Sequence, residues 1–283
     1  IRAIVWEQGE ELAAQLSTGD VVAVEGRITV FRDSLQIVCS SVMKPLPGEY
    51  SPEDFLPSTK RDRESMLSQI GQIIDGIADP NCKDLLQRIF EGDFLNEFGF
   101  APAARSMHQA YVGGLLEHTL NVVSLCQAVA SLYPEVDNDL LITGALLHDV
   151  GKVQEYAVRA GIEISDSGRL LGHVVMGYSI VTEAIERLPD FPEEEALRLR
   201  HMLLSHHGEL EWGAPKRPKT LEACILHHCD NLDGQVSKVA EILEASSPGE
   251  KWTNYDARLG RSLFVGDASV SDEALDIKAF ERN

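Results

Sequence analysis

The sequence is poor in the features that a secreted or membrane-embedded protein needs. Its five cysteines, at 39, 82, 126, 224 and 229, form no CxxC pair and are odd in number. That argues against a disulfide framework and for reduced thiols in a reducing, cytoplasmic compartment. Cys224 and Cys229 lie in an apolar helical stretch and are expected to be small buried side chains. No run approaches the roughly 20 apolar residues of a spanning helix, so no membrane partner is expected. The residues from Ile1 onward show neither the basic nor the apolar region of a signal peptide. Basic residues are also scarce: 25 Lys and Arg stand against 45 Asp and Glu, a formal net charge of −20. Such a field opposes indiscriminate adhesion to nucleic acid or anionic lipid. Any phosphate contact must then come from local clusters, and two exist, KRDR at 60–63 and PKRPK at 215–219.

What is present is a 283-residue chain with an ordinary apolar fraction of 44%, enough for a substantial core and more than one domain. Residues 1–46 read as β structure, with Ile28/Val30 and Leu35/Ile37 alternating on either side of a turn at FRDSL. The spacing suits a small antiparallel barrel, and GDVVAVEGRITVFRDSLQIVCSSV resembles the later strands of an OB-fold. On that resemblance the barrel is N-terminally incomplete. Phe31, Arg27 and Arg32 are the groups through which it would hold a single strand; a purely structural role is the alternative. Residues 47–63, rich in proline, read as a linker or docked strap. From about 64 to 245 the periodicity is helical, with helices expected at 114–132, 138–149, 172–188, 193–207 and 220–245. Between the second and third of these, EYAVRAGIEISDSGRL reads as a hairpin with Gly161 and Asp166–Gly168 as turn material. The polar tail, 246–283, is expected to wrap another part of the protein, with Trp252, Tyr255, Arg258 and Arg261 available to close over a channel. The fold class is therefore multidomain: a partial β-barrel, then an all-α domain with a small hairpin insertion.

All nine histidines fall between 108 and 228. His118 sits on the apolar side of its helix, His148-Asp149 and His206-His207 end two others, and His173 follows Gly172. Asp230 lies in the last helix beside Ile225 and Leu226. Each alone reads as a satisfied core residue. Together they would be several buried polar groups without evident partners, and one shared pair of metal ions satisfies them all. Mixed imidazole and carboxylate ligands suit Mn, Fe, Co or Zn better than Mg alone, and an Asp149 carboxylate can bridge two divalent ions.

His118, then HD at 148–149, then Asp230 resembles the H…HD…D signature of the HD-domain metal-dependent phosphohydrolases, which are all-helical. More narrowly, FAPAARSMHQAYVGGLLEHT, GRLLGHVVMGYSIV and LLSHHGELEWGAPKRPKTLEACILHHCDNLD resemble the YhaM-type 3′-to-5′ exoribonucleases, which join an OB-fold to an HD domain. That family often has two histidines where this chain has His108-Gln109. The HHE…DGxGYP segment of the HD-GYP phosphodiesterases is not here.

The resemblance implies a first ion on His118, His148, Asp149 and Asp230, and a second on Asp149, His173, His206 and, less firmly fixed, His207. It implies removal of mononucleotides from the 3′ end of single-stranded RNA, or DNA. Alternatives are a hydrolase of free nucleotides or small phosphoesters, and a nucleotide-sensing module without turnover. Lys152, three residues beyond Asp149, is expected to neutralise a phosphate oxygen, and Gly151 to allow a tight turn. Lys216, Arg217 and Lys219 are expected to recruit further phosphates, and His108 to contact substrate. Trp212 would stack on a base or, the favoured reading, pack against its loop. His227, one turn before Asp230, is expected to orient it; His201 and His228 read as structural. Association with a second copy of the chain stays open.

Overall fold

The computed structural model describes residues 1–283 apart from 7–8, 18, 33, 47, 51–53, 106–108, 159–160, 247–248, 258 and 267–283. His108, Arg258 and the end of the tail, all singled out above, therefore lie outside the described residues.

The N-terminal region contains β1 (Arg2–Ile4), α1 (Gly9–Gln15), β2 (Ala23–Phe31) and β3 (Ser34–Met43), in a sheet of order β1-β3-β2. β2 and β3 form the expected antiparallel hairpin, with Ile28 opposite Ile37 and Val30 opposite Leu35. The register slips between Glu25 and Gly26, where a Cβ on Gly26 would lie 2.3 Å from the Val38 carbonyl oxygen. β1 corrects the expectation of a wholly antiparallel sheet, because Ala3 pairs parallel with Ile37. Parallel neighbours need a crossover, and the segment carrying α1 supplies it. Among the described residues the three strands do not close into a barrel.

The helical region opens with α2 (Arg63–Gly76), α3 (Pro80–Ile89) and α4 (Gly92–Phe100). Asp62 caps α2 by accepting from the Ser65 amide at 2.7 Å, and Asp79 does the same for Cys82 at 2.8 Å, with Pro80 in the first turn of α3. The end of the proline-rich segment is a docked strap, since Val112 N donates to the Pro57 carbonyl and Thr59 N to the Val112 carbonyl, both at 2.9 Å.

α5 (Gly114–Ala130), α6 (Asn138–Leu147), α8 (Asp166–Glu186), α9 (Glu193–Ser205) and α10 (Leu221–Glu244) build the core, with the single turn α7 (Lys152–Glu155) and the hairpin β4 (Tyr156–Val158) and β5 (Ile162–Ile164) between α6 and α8. Asp166–Gly168 are the first turn of α8 rather than hairpin turn, because Ser165 Oγ accepts from Gly168 N at 2.9 Å and starts the helix early. α8 breaks at Gly172, whose φ of 74° favours glycine, and this break re-aims the chain just before His173.

α6 positions the site. Every residue from Leu140 to Leu147 is buried, and the helix packs against α5, α9 and α10. A helix apolar on all sides belongs at the centre of a bundle. Each buried leucine stabilises that placement by roughly 1.5–3 kcal/mol. The polar residues that follow, His148 and Asp149, are thereby carried into the core. Cys229 and Cys126 are buried as well, whereas Cys224 is exposed, contrary to expectation, because it lies on the outward face of α10. Among the described residues no helix is long and apolar enough to cross a membrane. The described part of the tail forms a small antiparallel pairing of Trp252 with Phe264, whose rings meet edge-on at 5.1 Å.

Candidate metal centre

Five helices deliver seven side chains to one place. His118 comes from the second turn of α5, His148 and Asp149 from the end of α6, His173 from α8 beyond its break, His206 and His207 from the end of α9, and Asp230 from the middle of α10. Asp149 stands between two groups. Its Oδ2 lies 3.5 Å from His118 Nε2 and 3.4 Å from His148 Nε2, and Asp230 Oδ1 completes this side at 3.2 Å from His118 Nε2. Its Oδ1 faces the other way, 3.5 Å from His173 Nε2 and 3.6 Å from His206 Nε2. His173 Nε2 in turn lies 3.1 Å from His207 Nε2. Two groups at this centre are therefore able to hold an ion, His118, His148, Asp230 and His173, His206, His207, with Asp149 between them.

The rings are fixed from behind. His148 Nδ1 meets the Ala145 carbonyl at 2.7 Å, His206 Nδ1 the Leu203 carbonyl at 2.8 Å, and His207 Nδ1 the Trp212 carbonyl at 3.1 Å. A carbonyl only accepts, so each Nδ1 carries a proton and each ring turns its Nε2 edge inward; for His206 and His207, whose pKa burial lowers, that edge is a lone pair. His118 and His173 use carboxylates instead: Asp233 Oδ2 at 2.7 Å and Glu155 Oε2 at 3.1 Å. Asp233 is itself held by Asn121 Nδ2 at 3.0 Å and Gln109 Nε2 at 3.3 Å. Glu155 also accepts from the His173 backbone N–H at 3.1 Å. Such outer partners orient metal-binding imidazoles and raise their basicity.

Inward-facing lone pairs repel one another unless a cation lies among them. Asp149 Oδ1 and His206 Nε2 are buried with no hydrogen-bond partner, each a liability of about 1–3 kcal/mol if left so. The electrostatics agree with a cation. Burial opposes the charge on Asp149, but Lys152 and His148 hold its carboxyl well below the usual carboxylate range. Burial likewise works against protonating His118, yet Asp149, Asp230 and Asp233 hold its imidazole well above the usual value. Burial, and then the neighbouring His207, push His206 well below it. The first group thus favours positive charge, and the second keeps His206 unprotonated and ready to donate its lone pair. The donor set fits a divalent ion of the Mn, Fe, Co or Zn type.

Gly151 has an ordinary helical φ of −64°, so it does not serve an unusual turn. It serves close approach instead: a Cβ there would lie 2.0 Å from the His173 carbonyl oxygen and 2.5 Å from Gly177 N. The bare Gly151 backbone lets α7 lie against α8 and brings His173 to Asp149. Gly208 acts similarly, since a Cβ there would lie 2.1 Å from the His227 ring.

A cavity of about 440 Å³ opens beside the centre, walled by Asp149, Lys152, His206, His207, Trp212, His227 and Asp230 and by the α10 residues Asn231, Gly234, Gln235 and Lys238. Lys152 Nζ pairs with Asp149 Oδ2 at 2.6 Å. Trp212 is 58% exposed at the cavity rim, so it does not simply pack against its loop. His227 was expected to orient Asp230, but its Nδ1 meets the His206 carbonyl at 2.8 Å, because the close pass at Gly208 presses the α9 terminus against this face of α10. The basic loop is not brought to the cavity: Arg217 Nε pairs with Glu209 Oε2 at 2.8 Å, and Lys216 and Lys219 contribute backbone N–H groups to the Leu204 carbonyl and to His201 Nε2. Asp233, Glu155 and Lys238 escaped the sequence reading. Only Asp233 carried a signal there, lying one helical turn beyond Asp230 on the same face.

Residues 115–235 match the family model of the HD domain. Comparison with solved structures gave no match. The matched segment contains His118, His148, Asp149, His173, His206, His207 and Asp230, so every residue of the centre lies within the part of the chain that is similar to the HD domain, a domain whose members are typically metal-dependent phosphohydrolases.

Proposed function

We propose that this protein is a metal-dependent phosphodiesterase that shortens single-stranded RNA from its 3′ end and releases mononucleotides. One observation carries the phosphoester chemistry: the Asp149 carboxylate divides its oxygens between two imidazole groups beside an open cavity. His118, His148, Asp149 and Asp230 would hold one divalent ion, and Asp149, His173, His206 and His207 a second. Such ions supply Lewis acidity toward phosphoryl oxygens and lower the pKa of water. The chain's own contribution is positional. Asp233, Glu155 and three backbone carbonyls hold the imidazoles with their lone pairs inward. Lys152 places an ammonium at the cavity wall beside Asp149, where it offsets negative charge on a phosphate. Trp212 offers an exposed face at the rim on which a base can stack, a contact worth about 1–3 kcal/mol.

The action on a polymer rests on the resemblance to the YhaM-type enzymes and on the N-terminal sheet, which we read as part of an OB-fold that guides the strand. A second reading, hydrolysis of free nucleotides or small phosphoesters, is favoured by the Arg217–Glu209 ion pair, which occupies a guanidinium otherwise available to a long substrate. Incubating the Mn²⁺-loaded protein with a 5′-labelled oligoribonucleotide and, separately, with free nucleotides distinguishes them. A ladder that shortens from the 3′ end is expected. Turnover of the nucleotides alone would replace the first reading with the second, and no turnover of either would remove both.

A further inference from the structure

We propose that Lys238 is a substrate-positioning residue that binds a phosphate next to the scissile one, so that the site selects chains bearing consecutive phosphates. The proposal rests on the phosphoester reading above and specifies the substrate class for that same site. Lys238 was not apparent in the sequence, where it is a single lysine near the end of a long helix. In the structure it lines the cavity together with Asp230, Gly234 and Gln235. Residues 230, 234 and 238 recur at intervals of four and so form one stripe along α10. Eight residues of helix place Lys238 roughly 12 Å along the axis from Asp230, beyond the span of one phosphodiester, and its flexible stem can bring the ammonium part of the way back.

Lys238 is available for an anion. Among the described residues it has no ion-pair or hydrogen-bond partner, although the chain carries 45 acidic residues. Glu241, the acid one turn further on, is engaged elsewhere, accepting from the Gln109 backbone N–H at 2.9 Å. Lys152, the other lysine of the cavity wall, is already paired with Asp149 at 2.6 Å. The wall between Asp230 and Lys238 is shaped for what joins two phosphates. Gly234 presents no side chain there, although glycine is a poor residue for the inside of a helix. Gln235 beside it offers an amide able to donate to and accept from a sugar or base. A site for one small phosphoester has no use for a second, unpaired cation two turns away.

The test compares the full-length protein with its Lys238→Gln and Lys238→Arg variants. With Mn²⁺ loaded, Lys238→Gln is expected to raise KM for a single-stranded oligoribonucleotide about tenfold with kcat nearly unchanged, as for loss of one charged contact. The KM for bis(p-nitrophenyl) phosphate, which has one phosphate, should move less than about twofold, and Lys238→Arg should restore most of the oligonucleotide KM. In EDTA, fluorescence anisotropy of a labelled oligonucleotide should show the same loss of affinity and a salt slope smaller by about 0.7, as for one phosphate contact on a single strand. Equal effects on the one-phosphate and many-phosphate substrates, or an unchanged oligonucleotide Kd, would overturn the role of Lys238. A protein that binds the oligonucleotide through Lys238 and hydrolyses nothing would instead overturn the phosphodiesterase reading and leave the docking role standing.

Discussion

His118 Nδ1 and Asp233 Oδ2 meet at 2.7 Å, on the opposite edge of the ring from the Nε2 that lies 3.2 Å from Asp230. One imidazole is thus clasped between two carboxylates of a single helix, three residues apart. Asp233→Asn is expected to weaken metal binding by about 10–100-fold, the usual cost of losing such a partner. Titration calorimetry with Mn²⁺ would measure it. An unchanged affinity would mean that packing alone orients His118.

Asp149 and Asp230 are both carboxylates of the centre, but only Asp149 reaches both imidazole groups. Elemental analysis after metal loading should find that Asp149→Asn empties both sites and Asp230→Asn the first alone. Wild-type protein in Mn²⁺ at a hundred times its Kd should gain about 2.7 kcal/mol for each ion bound over protein in EDTA, read as a rise in Tm. If Asp149→Asn kept the wild-type metal content, the carboxylate would not bridge.

Gly151→Ala places a methyl group against the His173 carbonyl oxygen and Gly177 N, both backbone atoms that yield little. A loss of about 1–3 kcal/mol is expected, read from the urea midpoint at unchanged m. A variant within about 0.5 kcal/mol of wild type would mean that α7 and α8 separate freely.

Glu222 is buried and receives Arg198 Nη2 at 3.0 Å and the Asp137 N–H at 3.2 Å. Burial disfavours its charge, but its own backbone N–H, Arg198 and the Asp137 amide together lower its pKa. A carboxyl with a depressed folded pKa contributes stability that is present above its ordinary pKa of about 4.3 and is lost as the pH falls through the folded value. The stability gap between wild type and Glu222→Gln should therefore be widest near neutrality and close in acid. A gap that widened below pH of about 4 would reverse the sign.

Most of the candidate ligands could be read along the chain because they stand where an apolar helix ends or breaks, as His148-Asp149 do after Leu147 and His173 does after Gly172, while His118 and Asp230 stand inside helices among apolar neighbours. Five of the longer helices lie close to where periodicity put them, with α8 beginning six residues early because a serine cap carries no apolar signal. The groups that orient the imidazoles were another matter. The Ala145, Leu203 and Trp212 carbonyls belong to the backbone, and no side chain marks them. The basic loop misled because a run of charge says nothing of its partners, and Glu209, six residues before it, takes Arg217.

The sequence by itself determined the chemistry available: imidazoles and carboxylates at helix ends and on apolar helix faces, in an acidic chain with few cations. Only the tertiary structure decided how that chemistry is arranged. Facing and distance are properties of packed helices, set by the apolar faces that bury α6 and by the close pass at Gly151. They turn scattered ligands into one centre, split the Asp149 carboxylate between two groups, and leave Lys238 rather than the basic loop at the cavity wall.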